Sequence, residues 1–572
     1  MVYCGKPSRG CQMCRTRRIK CDETKPTCNQ CAKSRRRCPG YKDEFDLIFR
    51  NETQATERRA QKANKKAIAL KANRQLHDED QAVVPSLRIP VEQQASCHFA
   101  ANFIMPSRDG RNTGYFDFIF PLLGQERPDS HIQHAFNACS LAFLDNRGGQ
   151  GSRLSEAALR EYSVALAKTN IALRCAETQT SDATLASVVL LGMFENVSAK
   201  QISSFNWGSH VEGAVQLVKL RGKQQVQSKI GLQLFVAVRR IMTISCLTAG
   251  HYPIMGSNWW LGEADCDDTS SISQGFMIRT SEIRAEISDV MTYITRTPEN
   301  IELILEHIRR AQMLDQEVEA WLHNLPEEWR YRTIAWEDNV VNGDYARAEV
   351  FPGRVDVFND VSHAYGTNAA RTVRLILASI IVRCTAWVCS PVDYRTTPEY
   401  ATAASTCRDT ITDIIASVPY HFGWHLKRKG NWQDASLGTF VCGEETPAKG
   451  VGGYLLTWPL ACLLTQDYTT DAQRAWVIGR LQRVSSELGM KHAAVLSHLQ
   501  VRIPSTLIRR DGIAAQPSHG PQNSFHKVLM AALTPPPASH VLTPHGQWED
   551  PNNVKTERGL PNPNKAELGI PR

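Results

Sequence analysis

The stretch GCQMCRTRRIKCDETKPTCNQCAKSRRRCPG, Gly10 to Gly40, places six cysteines in thirty-one residues and packs basic residues between them. Cys11, Cys14, Cys21, Cys28, Cys31 and Cys38 follow C-x2-C-x6-C-x6-C-x2-C-x6-C, and the second triplet repeats the first at a constant offset of 17. A C-x-x-C pair lets both thiolates reach one tetrahedral ion, so two such pairs in one short segment read as zinc ligation. Two four-coordinate ions need about eight ligand bonds, which six thiolates supply only when two of them bridge. The internal repeat puts one bridge in each half. A disulfide framework is the competing reading. It is disfavoured because Met1 to Gly10 lacks the apolar run of an export signal. Cys4 falls outside the repeat and reads as a bystander.

Charge sharpens the picture. The formal net charge of the 572-residue chain is +8, but residues 1–76 hold 20 Lys+Arg against 7 Asp+Glu, and the remainder holds 46 against 51. A small basic head on a mildly acidic body suits a nucleic-acid partner. Between Cys11 and Cys38 lie nine Lys+Arg and two Asp+Glu. Six thiolates with two zinc ions would therefore leave the module near +5, and its DNA binding should depend on salt. The first half reads as a short helix from Gln12 to Arg18. Arginine is the residue type that pairs bidentately with guanine in the major groove.

The head resembles the fungal binuclear zinc-cluster DNA-binding domain, and nothing from Cys11 to Cys38 departs from that pattern. The resemblance implies that Cys11 and Cys28 bridge two zinc ions, that Cys14 and Cys21 complete one site, and that Cys31 and Cys38 complete the other. It places Pro26 in the loop between the two helices. It also places Arg17 and Arg18 where the family reads a CGG-type triplet. Arg15, Lys20, Lys25 and Lys33 are then the phosphate contacts. Arg35, Arg36 and Arg37 read as a solvated charge run or part of a nuclear-import signal.

Beyond the head, Asn51 to His77 has no Pro or Gly and should be helical. Two readings stand for it. Ala60, Ala63, Ala67 and Leu70 make a thin heptad seam that Arg74 breaks, and a basic helix lying along DNA is the other. Residues 78–96 read as a tether. From about Cys97 to Ile508 the pattern is helix after helix. One is expected after Ser155, burying Leu159, Tyr162, Leu166 and Leu173. Others cover TSDATLASVVLLGMFEN, NWGSHVEGAVQLVKLRG (Val211, Ala214 and Val218 inward, Gly222 the stop) and the long stretch that ends at Pro326. The apolar runs Val373 to Cys389 and Tyr454 to Leu464 read as buried helices, not membrane spans. These segments, with SVPYHFGW and GGYLLTWPLACLLTQD, resemble the fungus-specific transcription factor domain. The tail from Pro504 onward carries 11 of the 28 prolines and should be disordered.

The expected architecture is all-α: a small binuclear zinc-cluster module at the N-terminus, joined by a helical linker to a large all-helical regulatory domain, with a disordered C-terminal tail. The expected divisions are 1–10 disordered, 11–40 zinc cluster, 41–96 linker with the basic helix, 97–508 helical body and 509–572 Pro-rich tail. His210 with Glu212 is the nearest thing to a catalytic pair in the body. It reads as an ordinary packed histidine, and no phosphate-binding, nucleophile-elbow or dinucleotide motif occurs. The expected function is a nuclear, sequence-specific regulator of RNA polymerase II transcription, not an enzyme. Its partners would be double-stranded DNA with GC-rich triplet half-sites, the transcription machinery or co-regulators, and a second copy on DNA, with no membrane. Its gene set would be a fungal metabolic pathway. The rivals are a zinc-buffering protein, and a DNA-tethered enzyme or metabolite-binding protein whose helical body carries the main activity.

Overall fold

The computed structural model describes residues 10–41, 89–105, 114–148, 152–199, 207–262, 269–427, 450–499 and 501–512. The expected basic helix Asn51 to His77 and the tail beyond Gly512 lie outside these residues; the described start of that tail is helical over Ile503–Arg510, held by Asp511 on Arg383, and the expected tether 78–96 is helical from Val91. The chain divides into two compact units, Met1–Arg88 and Ile89–Arg572.

The first unit holds two five-residue helices, α1 (Gln12–Thr16) and α2 (Asn29–Lys33). The helix expected to reach Arg18 stops two residues earlier, because Arg18 turns into the left-handed region at φ 54°.

The second unit opens with α3 (Val91–Phe103), α4 (Ile119–Gln125), α5 (His131–Gly148), α6 (Ser152–Arg174), α7 (Asp182–Ser198) and α8 (Trp207–Arg221). Ser181 caps α7 by accepting the Thr184 amide at 3.1 Å, and the whole of Ala183 to Val197 is buried. Gly222 ends α8 as expected, at φ 65° with its amide on the Val218 carbonyl at 3.1 Å. Only glycine takes that conformation freely. Val211, Ala214 and Val218 point inward.

Helix α6 differs from its expected frame. It begins at Ser152, so Ser155 lies inside it and donates to Asp145 rather than capping. Its buried face runs through Leu154, Ala158, Ala165 and Ala172, while Leu159 is 54% exposed. Small alanines sit under the neighbouring helices, and the larger Tyr162, Leu166 and Leu173 flank them, partly buried.

The chain continues through α9 (Lys229–Ala249), α10 (Ser257–Leu261), α11 (Thr269–Tyr293) and α12 (Pro298–His323). Thr297 caps α12 on the Asn300 amide at 3.3 Å. A two-stranded antiparallel hairpin follows, β1 (Arg332–Glu337) with β2 (Gly353–Val357), bulged between Thr333 and Ala335. Its buried Asp356 takes Thr333 Oγ1 at 2.7 Å and Arg354 Nε at 2.9 Å.

The axis of the body is α13 (Val361–Cys389), buried along nearly its whole length. It packs against α11, α12, α14 (Pro398–His421), α16 (Gly450–Leu464) and α19 (Ile503–Arg510). Short α15 (Trp424–Lys427), α17 (Asp471–Ser486) and α18 (Lys491–Leu496) complete the series. Two arginines of α13 are matched by carboxylates. Arg374 Nε meets Asp315 Oδ1 at 2.8 Å, and Arg383 grips Asp511 with two bonds of 2.6 and 2.8 Å.

The ends of the body meet across the chain. Phe99, Phe103 and Phe143 form an aromatic cluster with centroids 4.7 to 6.2 Å apart. A Cβ on Gly450 would lie 2.8 Å from both Phe103 and Phe143, so α16 can dock there only through a glycine. The Gly450 amide donates to Asn102 Oδ1 at 2.8 Å, and Asn146 Nδ2 donates to the Gly489 carbonyl at 2.8 Å.

Candidate metal centre and nucleic-acid interface

Each half of the head is built the same way. Cys11 is the N-cap of α1 and its sulfur accepts the Cys14 amide at 3.4 Å; Cys28 is the N-cap of α2 and accepts the Cys31 amide at 3.4 Å. Each helix then closes with a left-handed residue. Arg18 donates its amide to the Arg15 carbonyl at 3.1 Å and Ile19 to Cys14 at 3.1 Å; Arg35 donates to Ala32 at 3.0 Å and Arg36 to Cys31 at 3.0 Å. This is the Schellman pattern, repeated at the 17-residue offset of the cysteines. Glycine usually fills the left-handed position, yet here φ is 54° at Arg18 and 50° at Arg35. Holding a side chain there costs about 1 kcal/mol.

The loop between the halves is tied to α2. Both carboxylate oxygens of Asp22 lie 3.1 Å from the Asn29 amide, Thr24 Oγ1 donates to Asp22 at 3.0 Å, and Tyr41 Oη donates to the Thr24 carbonyl at 2.7 Å.

The six sulfurs converge. Cys11, Cys14, Cys21 and Cys28 form one set and Cys11, Cys28, Cys31 and Cys38 another, with all sulfurs in a set within 4.8 Å of one another. Cys11 and Cys28 belong to both. The sulfurs of Cys11 and Cys28 are 3.7 Å apart, those of Cys11 and Cys31 3.8 Å, and those of Cys14 and Cys28 3.6 Å. A disulfide would bring them to about 2 Å. Four sulfurs at about 2.3 Å from one tetrahedral ion stand about 3.8 Å apart. The separations therefore fit zinc and exclude a disulfide. Burial, then hydrogen bonds from Cys28 and Cys11, pushes the Cys31 thiol up to about 12, and Cys14 moves in the same direction. Bare thiolates at Cys14 and Cys31 are costly, and divalent cations would relieve that cost.

Arg15, Arg17, Arg18, Lys20, Lys25 and Lys33 are all exposed around the sulfur cluster. Arg17 Nη1 reaches across to Ser34 Oγ at 3.2 Å, a tie between the halves that the sequence did not signal.

Residues 9–46 match the fungal Zn(2)-Cys(6) binuclear cluster domain, and residues 96–328 match the fungal specific transcription factor domain. The chain thus carries both domains of the fungal binuclear zinc-cluster transcription factors. Among relatives of the zinc-cluster head, White-opaque regulator 2 of Candida albicans is 51% identical over 47 residues, 8% of this chain and 10% of that protein. The transcriptional regulatory protein moc3 of Schizosaccharomyces pombe is 66% identical over 32 residues, 6% of each chain. The aspercryptin biosynthesis cluster-specific transcription regulator atnN of Emericella nidulans is 49% identical over 37 residues, 6% of each. The matches thus span a tenth or less of each relative's length. No solved structure matches the chain.

The body offers no rival catalytic site at His210. Its Nε2 lies 3.1 Å from Tyr162 Oη, which donates to Glu195 Oε1 at 2.7 Å, and burial lowers the histidine's pKa. It is a packed, bonded residue. Cys384, Trp260 and Trp424 are likewise core.

Proposed function

We propose that this protein is a nuclear, sequence-specific regulator of RNA polymerase II transcription whose head holds two zinc ions and reads a CGG-type triplet. Cys11 and Cys28 bridge the ions, Cys14 and Cys21 close one site, and Cys31 and Cys38 close the other. Zinc supplies the cross-links that a module with so small an apolar core lacks. Arg18 and Arg17 meet guanine edges, while Arg15, Lys20, Lys25 and Lys33 hold phosphates. A triplet is short, so a second copy on the same DNA would add the second half-site.

The observation that carries this reading is the convergence of six sulfurs into two four-sulfur sets that share Cys11 and Cys28, with exposed Arg17 and Arg18 at the end of the first helix. Regulation of a metabolic gene set is supported by the printed name of the Emericella relative. Control through co-regulators contacting the helical body belongs to the same reading.

Binding titrations on matched and triplet-scrambled duplexes at several salt concentrations test it. Arg18→Gly should stabilise the head and yet lose roughly 1–3 kcal/mol of discrimination between the duplexes. Lys33→Ala should weaken both duplexes alike and lower the salt slope by about one. Arg18→Gly leaving discrimination intact would sink the assignment.

A further inference from the structure

Helices α9, α11, α13, α16, α18 and α19, with Tyr115, Asn196 of α7 and Gly208 of α8, surround a cavity of about 430 Å³, within the size range of small-molecule sites. Its walls are largely apolar, with Ile244, Leu247, Ile376, Ile380, Leu455 and Leu507 prominent. Three arginines also line it: Arg240, Arg284 and Arg383.

The three are not equivalent. Arg383 is neutralised by its double bond to buried Asp511. Arg240 lies between the rings of Tyr115 and Tyr365, 5.7 and 5.8 Å from their centroids, and Arg284 faces the charges of Arg383 and Arg510. Among the described residues no carboxylate bonds to either, and the Nε of each is buried with no hydrogen-bond partner. Burial, with Arg383 beside it, pulls the Arg284 guanidinium down to about 10. Uncompensated guanidinium groups are expensive in a protein interior. At Arg383 this body supplies a counter-ion. At Arg240 and Arg284 it leaves the position open to the cavity.

We propose that this cavity is a binding site for an amphipathic carboxylic acid, whose carboxylate pairs with Arg284 and Arg240 while its apolar body lies against the isoleucine and leucine walls. A guanidinium fork matches a carboxylate bidentately. Free phosphate would leave the apolar walls unused, and a neutral apolar molecule would leave the two cations unpaired. The site goes beyond the DNA-binding reading and does not rest on it, since binding is measured with no DNA present.

The test is calorimetric titration of the full-length, zinc-loaded chain with monomeric dodecanoate, dodecanol and inorganic phosphate. Dodecanoate should bind at least about tenfold more tightly than dodecanol, and phosphate should not compete. Arg284→Met, which keeps an unbranched apolar stem and removes the guanidinium, should cut the preference for dodecanoate over dodecanol several-fold and leave dodecanol unchanged. Ala461→Phe, which fills the cavity from α16, should remove binding of both. Equal affinity for acid and alcohol overturns the proposal, and so does the absence of dodecanoate binding. Phosphate binding as tightly as dodecanoate, an acid-over-alcohol preference undiminished in Arg284→Met, or dodecanoate binding that survives Ala461→Phe, also overturns it. The acid-over-alcohol preference is read on the unsubstituted chain, so a variant that fails to fold does not shelter the idea.

Discussion

Replacing Cys28 and replacing Cys38 should affect the zinc cluster unequally, although both are cysteines of one repeat. Cys28 belongs to both four-sulfur sets and Cys38 to one. Cys38→Ser leaves Cys11, Cys14, Cys21 and Cys28 as an intact set, whereas Cys28→Ser reduces both sets to three sulfurs. A structural zinc site is worth about 10–16 kcal/mol in all, or about 3 kcal/mol per thiolate. Each lost thiolate should therefore weaken the affected ion roughly 100-fold. Serine keeps the capping oxygen that the Cys31 amide needs, so the comparison isolates the sulfur. The assay is zinc per chain during competition with a chromogenic chelator. The unsubstituted protein should release two zinc ions together at high chelator. Cys38→Ser should give up one early and keep one, and Cys28→Ser should give up both early. Equal release from the two variants, or a single zinc in the unsubstituted chain, would refute the shared-thiolate geometry.

Two further outcomes follow from the body. Asp511→Asn leaves Arg383 buried without its partner at side-chain exposures of 3% for each, so it should destabilise the body by about 3–5 kcal/mol, read as a lowered urea midpoint; a shift of a few tenths would show that water already reaches the pair. His421 and His425 are buried, and burial holds both down to about 4. Because the folded state binds their protons less readily than the unfolded state, their contribution is complete above about pH 6.5 and is lost as pH falls toward about 4, up to roughly 3 kcal/mol for each. Stability measured against pH should drop across that window, and His421→Phe should flatten the drop; an unchanged slope would mean that the histidine is charged in the fold.

Much of this was legible in the sequence, and the exceptions have physical causes. The constant cysteine offset carries the convergence of six sulfurs, because chain length between ligands limits where they can go. Gly222 announced a helix end through chemistry confined to a few neighbours. Arg18 misled, since a left-handed arginine has no local signature where glycine is the norm. Leu159 misled because the inward face of α6 is made of alanines, which a search for large apolar residues passes over. The hairpin was missed because β2 buries Asp356 along with Val355 and Val357, the carboxylate being satisfied by Thr333 and Arg354, and because its bulge breaks the alternation. The arginine-lined cavity was out of reach altogether. Eight helices contribute to it, and nothing near Arg240 or Arg284 in the chain distinguishes them from cations on a solvated face.

The docking of Gly450 on the phenylalanines of α3 and α5 bears on what can be transplanted. The segment matching the family's transcription factor domain stops at residue 328, yet Phe99, Phe103 and Phe143 share one hydrophobic cluster with Leu456, Leu460 and Trp476. Cut at 328, the fragment would expose that aromatic face and strip Asn102 and Asn146 of their partners at Gly450 and Gly489. The stretch of chain that similarity delimits is thus smaller than the piece that can be exchanged between regulators. A chimera that swaps effector halves should join between the zinc head and Val91 and should carry everything through Asp511.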